Sequence, residues 1–196
     1  MTKSFGAGLV VSGVLALAAC GGEAGHEHVV INGEEVVMTA EELANAARAE
    51  GALAVYANPY GDGRENPIAE GAKAKVQAVR TASGKTVVTL HVFGATPNRN
   101  FGSHVHVSGC DVNKAGGHYQ NEVAPAGLAA DPRWANPQNE VWLDVVTDAE
   151  GNASAQAVVN YHFRENGANA IILHDQHTNH SNGTAGSKLG CLDVDF

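Results

Sequence analysis

From residue 51 onward the chain alternates apolar and polar side chains over short runs. ALAVYANP (52–59), AKAKVQAVR (72–80) and KTVVTLHVFG (85–94) follow a two-residue period, the pattern of strands with one face buried. FGSHVHVSG (101–109), EVWLDVVTD (140–148), NASAQAVVNYHF (152–163) and NAIILHD (169–175) continue it. NPYGDGRENP, TASG and ATPNRN interrupt the runs with turn residues, and DAEGN reads as a hairpin turn. Seven or eight strands at this spacing predict an all-β fold: a Greek-key β-sandwich or flattened eight-stranded barrel, immunoglobulin-like in architecture. No internal repeat is visible.

The first fifty residues follow other rules. Lys3 precedes the apolar run GLVVSGVLALAAC, which is too short to span a bilayer and has the form of a secretory signal. Its end, LAAC, resembles the bacterial lipoprotein cleavage box, which would make residues 1–19 a signal peptide and Cys20 the lipidated first residue. An ordinary signal peptide cleaved nearby is the alternative. Either reading places the mature protein outside the cytoplasm, and the first anchors it to a membrane, facing the periplasm or the cell surface. Residues 20–50 are then a tether and short helix. GGEAGHEH reads as a flexible linker in which His26 and His28 either scavenge metal or are merely solvated. Thr39–Glu42 forms a T-x-x-E capping box with Met38 and Leu43 as its hydrophobic staple, so TAEELANAARAE predicts a short helix. Residues 51–196 form the domain.

Composition narrows the function. The chain has 196 residues, only 17% of them charged, and a formal charge of −9. Residues 1–19 hold one lysine and no acid, so their removal leaves −10. Such a surface repels phosphates and argues against nucleic acid as a partner. It says nothing of oligomeric state.

The candidate chemistry lies in histidines. His104 and His106 project from one side of one strand, and His118 (in GGHY) and His174 (in IILHD) come from distant segments. An all-imidazole site of this kind suits copper. Cys110 follows the first pair and Cys191 closes TAGSKLGC. With FGSHVHVSGC, AGGHY, VVTDAEGNA, AIILHD and GTAGSKLGC in this order, residues 52–196 resemble the copper/zinc superoxide dismutases. The resemblance implies copper held by His104, His106, His118 and His174, and a disulfide between Cys110 and Cys191. It leaves Cys20 for lipid. It also implies an enzyme that converts superoxide to dioxygen and hydrogen peroxide, with His118 carrying a proton to the departing peroxide.

The chain departs from that family in two places. Residues 119–140, where the family holds zinc, contain no histidine; Gln138 and Val141 stand where a zinc histidine and the zinc aspartate belong. A closed zinc site takes about four N, S or O ligands, so zinc is expected to be absent. Another group must then orient the second nitrogen of His118, and Glu140 and Glu122 are the acidic candidates, Glu140 favoured. Lys188 replaces the family's arginine near the metal; it keeps the charge that attracts superoxide but lacks the planar fork. His177 and His180 are either surface residues or a secondary metal site at the rim, and His91 and His162 are read as structural. Three classes of function follow: a copper-dependent, zinc-free superoxide dismutase, a copper storage or delivery protein on the same scaffold, and a structural β-sandwich. The intact ligand set argues against the last.

Overall fold

The computed structural model describes residues 26–31, 33–111 and 113–196. The signal segment, Cys20 and the glycine-rich start of the tether lie outside them. The strands are β1 (His26–Ile31), β2 (Glu34–Thr39), β3 (Ala47–Ala52), β4 (Ala54–Val55), β5 (Lys73–Arg80), β6 (Thr86–Phe93), β7 (Asn100–Phe101), β8 (Ser103–His106), β9 (Val145–Val146), β10 (Ala153–Val159), β11 (Ala170–His174) and β12 (Lys188–Asp193), with one helix, α1 (Ala40–Ala44).

Eight strands build two antiparallel four-stranded sheets, ordered β10–β6–β5–β3 and β4–β12–β11–β8. The chain passes between the two sheets five times, from β3 to β4, β4 to β5, β6 to β8, β8 to β10 and β10 to β11. The main core lies between them: Val76, Val88 and Leu90 from one sheet meet Val105, Ile171, Leu173 and Leu189 from the other. The expected all-β sandwich is the observed fold. The DAEGN turn closes as read, with Asp148 Oδ1 accepting from the backbone N–H of Glu150 and Asn152. Gly151 there has φ +80°, and a Cβ on it would fall 2.0 Å from the Ala95 carbonyl oxygen, so only glycine fits.

Three stretches differ from the sequence expectation. Residues 26–39, read as part of a tether, pair as the β1–β2 hairpin, and Val36 and Met38 pack on Val79 and Val87 of the first sheet. The predicted helix over 39–50 is shortened to Ala40–Ala44. Its capping box forms in both directions, Thr39 N–H to Glu42 Oε2 (2.8 Å) and Glu42 N–H to Thr39 Oγ1 (3.1 Å). From Ala47 the chain joins β5 as an edge strand, since alternate burial of Ala47, Ala49 and Gly51 satisfies the sheet better than a helix without a full apolar stripe. The predicted strand over 140–148 is reduced to Val145–Val146 and a single bridge, His104 to Trp142, because its polar groups are used elsewhere.

Candidate metal centre

His104 and His106 lie on β8, opposite Ile172 and Ala170 of β11. Val105, Ile171 and Leu173 take the core side, so the histidines face outward from the sandwich. That face is nevertheless buried, because the segments 107–144 and 175–187 fold over it. Residues 115–119 run back along β8: Val107 N–H bonds Gly117 O (3.1 Å), Tyr119 N–H bonds Val105 O (2.8 Å), and a bridge joins His106 to His118. Tyr119, fully buried, fixes the segment in the core. The later segment is drawn in at Gly102, whose N–H donates to Gln176 O (2.7 Å). A Cβ on Gly102 would fall 2.6 Å from both Ala185 Cβ and that oxygen, so glycine permits the approach.

These folds bring four imidazoles together, one ligand nitrogen from each of His104, His106, His118 and His174 within 4.8 Å of the others. Every ring has one nitrogen anchored. His106 Nδ1–H donates to Gly116 O (3.1 Å) and His174 Nδ1–H to Gly186 O (3.3 Å). His118 Nδ1 lies 3.0 Å from Glu140 Oε2, and His104 Nε2 lies 2.8 Å from Thr178 Oγ1. Carbonyls and carboxylates only accept, and the Thr178 hydroxyl gives its own proton to Asp144 Oδ1, so each anchored nitrogen donates and the other nitrogen of each ring points inward. His106 Nε2 and His174 Nε2 face each other at 3.2 Å.

His104 Nδ1 is one of four buried side-chain polar atoms without a protein partner among the described residues, and it is the one that belongs to this cluster. Burial holds His104 well below the usual histidine range, reinforced by the other three rings. His106 is pushed down to about 2 and His174 to about 3, by burial first and then by His118, with Lys188 adding to both. Neutral rings with inward lone pairs are the form that binds a metal. The four histidines could hold an ion, and the donor set fits copper.

The 119–140 loop brings no histidine, and a carboxylate stands beside His118 instead. Glu140 is 2% exposed. Its Oε2 accepts from His118 Nδ1–H and Trp142 Nε1–H (2.8 Å), and its Oε1 from Gln120 Nε2–H (2.8 Å). A carboxylate buried this deeply is tolerable only because three donors satisfy it. Glu122 is exposed, and only its backbone takes part, paired with Asn139. Gln138 is exposed and Val141 buried in the core.

Lys188 shares with His106, His118 and His174 the wall of a cleft of about 530 Å³. Its ammonium donates to Lys114 O (2.7 Å) and to Gly116 O, the carbonyl that also anchors His106. Burial, then Lys114, lowers its pKa. Cys110 and Cys191 are disulfide-bonded, beside the same sheet face as the histidines. His28 is exposed beside Glu35 (3.0 Å), His162 donates to Thr81 O (3.1 Å), and His91 stacks on Phe93. Gln120, Trp142, Thr178 and Asp144, which orient the ligands, carry no local sequence signal; only the fold reveals them. No described helix is long and apolar enough to cross a membrane.

No family's sequence profile matches the chain, and no curated protein does. Among solved structures, the chain is similar to the clock protein EA4 at 16% identity, over 76% of this chain and 92% of that one (TM-score 0.49). It is also similar to a double mutant of a SOD-like protein from Bacillus subtilis at 17% identity, over 63% and 88% (0.48). A single mutant of that SOD-like protein matches at 14% identity, over 74% and 94% (0.49).

Proposed function

We propose that the domain is a copper-dependent superoxide dismutase that works without zinc. The observation that carries this reading is the convergence of four imidazoles whose outer nitrogens are all tied to the protein, with His104 Nδ1 left for a metal alone. Copper held by His104, His106, His118 and His174 supplies a one-electron couple, so that one superoxide leaves as dioxygen and a second, with two protons, as peroxide.

The chain's own residues supply the rest. His118 is the partly exposed ring of the four, its side chain 19% accessible, and it lines the cleft. It is therefore the ring best placed to hold a proton at Nε2 when that nitrogen is not bound to a metal, and to pass it to an anion in the cleft. Glu140 keeps Nδ1–H donated throughout, which fixes the ring's tautomer and orientation. Lys188 adds positive charge at the cleft of a chain whose net charge repels superoxide.

Copper storage or delivery is the second reading, favoured by one observation: two N–H groups of Lys188 are taken by backbone carbonyls, leaving one for substrate. The reading also includes export and lipid attachment at Cys20, in keeping with a disulfide that persists in an oxidising compartment. Membrane release of a Cys20→Ala variant tests the anchor.

The deciding experiment is metal analysis with a superoxide dismutation assay on the mature protein. About one copper per chain at the quartet, and turnover that disappears with the copper in His106→Ala, is the expected result. Full copper loading with no more activity than an unrelated copper protein makes the domain a store.

A further inference from the structure

A second group of metal-type ligands sits outside the quartet. Asp144, His177 and His180 place a carboxylate oxygen and two ring nitrogens within 4.8 Å of one another. Asp144 comes from the end of the 107–144 cover, and the histidines from the segment after β11. Thr178, buried between the two histidines in sequence, pins that segment to Asp144: its N–H reaches Oδ2 (3.0 Å) and its hydroxyl Oδ1 (2.5 Å). A tight turn follows, with Asn179 N–H to Thr184 O (2.8 Å) and Gly183 N–H to Asn179 O (2.8 Å), and it turns His180 back beside His177. The two rings stack at 5.7 Å, and Trp142 packs edge-on against His180.

A carboxylate offers about four lone-pair sites. Ser103 N–H and the Thr178 hydroxyl take Oδ1 of Asp144, and Thr178 N–H takes one site on Oδ2. The remaining capacity of Oδ2 faces His177 Nδ1 at 3.0 Å. That contact is close, but the hydrogen bond of this nitrogen goes to Thr178 O (3.2 Å). We infer that Asp144, His177 and His180 form a second, solvent-facing site for a divalent transition ion of the zinc class. Two imidazoles and one carboxylate are a zinc donor set, and exposure of both rings leaves a position for water. The histidine quartet has no carboxylate and is buried, so the two sites differ in chemistry as well as place.

The second site also touches the first. Asp144 Oδ1 accepts from the Thr178 hydroxyl, which accepts from His104 Nε2–H. An ion on Oδ2 therefore acts on the carboxylate that ends the relay from a quartet ligand.

The test is equilibrium dialysis of the copper-treated mature protein against micromolar zinc, comparing the parent with His177→Ala/His180→Ala. Both side chains are exposed, so the variant keeps its fold and its copper content. The parent should take up about one more zinc than the variant, and the comparison holds whichever ion fills the quartet. Equal zinc uptake by both proteins, or none by the parent, overturns the assignment.

Discussion

In the β10–β6–β5–β3 sheet, β5 turns Ala74, Val76 and Ala78 to the core while Lys73 and Lys75 face water. In the β4–β12–β11–β8 sheet every residue of β8 and β11 is buried. Both sheets share one core, so the core does not explain the difference. The second sheet is covered on its outer face by two long connections, and histidines occupy the face they cover. Exclusion of solvent from both sides of a sheet makes its polar residues chemically unusual, because burial disfavours their charged forms. The histidine cluster that could hold a metal belongs to the covered sheet for that reason.

The largest effect that separates the sheets is acid sensitivity in the absence of metal. His104, His106 and His174 have folded values depressed by burial, whereas an unfolded histidine titrates near 6.5. Below about pH 6.5 the unfolded chain therefore binds protons that the fold refuses, and acid favours unfolding. The loss runs from there down toward about 3 for His174 and about 2 for His106. It amounts to of order 1 kcal/mol per histidine per pH unit. Denaturant melts of the metal-free protein at pH 7 and pH 5 should differ by several kcal/mol, and bound copper should remove much of the difference. Equal stability at both values would mean that the covered face opens to water.

The period-two pattern made the sandwich legible, because alternation of apolar residues in segments such as AKAKVQAVR directly encodes a sheet with one wet face. The four histidines were legible as a set through their motifs, and the structure brings them together. The tether was misread because Val29, Val36 and Met38 alternate over too short a span to declare a hairpin without its partner surface on Val79 and Val87. The orienting shell was illegible for a related reason. Thr178, Gln120, Trp142 and the Gly116 and Gly186 carbonyls act through contacts across as many as 74 residues, and no local pattern encodes them.

The disulfide should give the next largest effect. It joins the segment after β8 to β12 across a sequence separation of 81 residues, and Cys110 is held further by its N–H to Asp193 Oδ1 (2.7 Å) and by Tyr56. Cys110→Ala/Cys191→Ala should lower stability by about 2–5 kcal/mol, read by chemical denaturation. A loss well under 1 kcal/mol would show that the cover is held by its hydrogen bonds alone.

Glu140 tests the cover from within. Glu140→Gln keeps the volume but turns an amide N–H₂ toward one of three donors, so either His118 or its neighbours lose a partner. Copper affinity or dismutation rate should fall about 10–100-fold, because His118 loses the carboxylate that fixes its tautomer and orientation. An unchanged rate with unchanged affinity would reduce Glu140 to a packing residue.

The smallest effect concerns Lys188, on the wall of the cleft in the covered face. Its side chain is tied to Lys114 O and Gly116 O, so its charge is fixed in place while most of its donors are occupied. Lys188→Gln should therefore slow dismutation only a few-fold at low salt, with copper content unchanged, and Lys188→Arg should keep or raise the parent rate. The parent-to-variant ratio carries more information than either rate, because the acidic surface repels superoxide in both proteins equally. As ionic strength rises, screening shortens to about 8 Å at physiological salt, and the ratio should fall toward one. A ratio that stays constant from low to high salt would mean that Lys188 shapes the 114–116 segment and does not steer the anion.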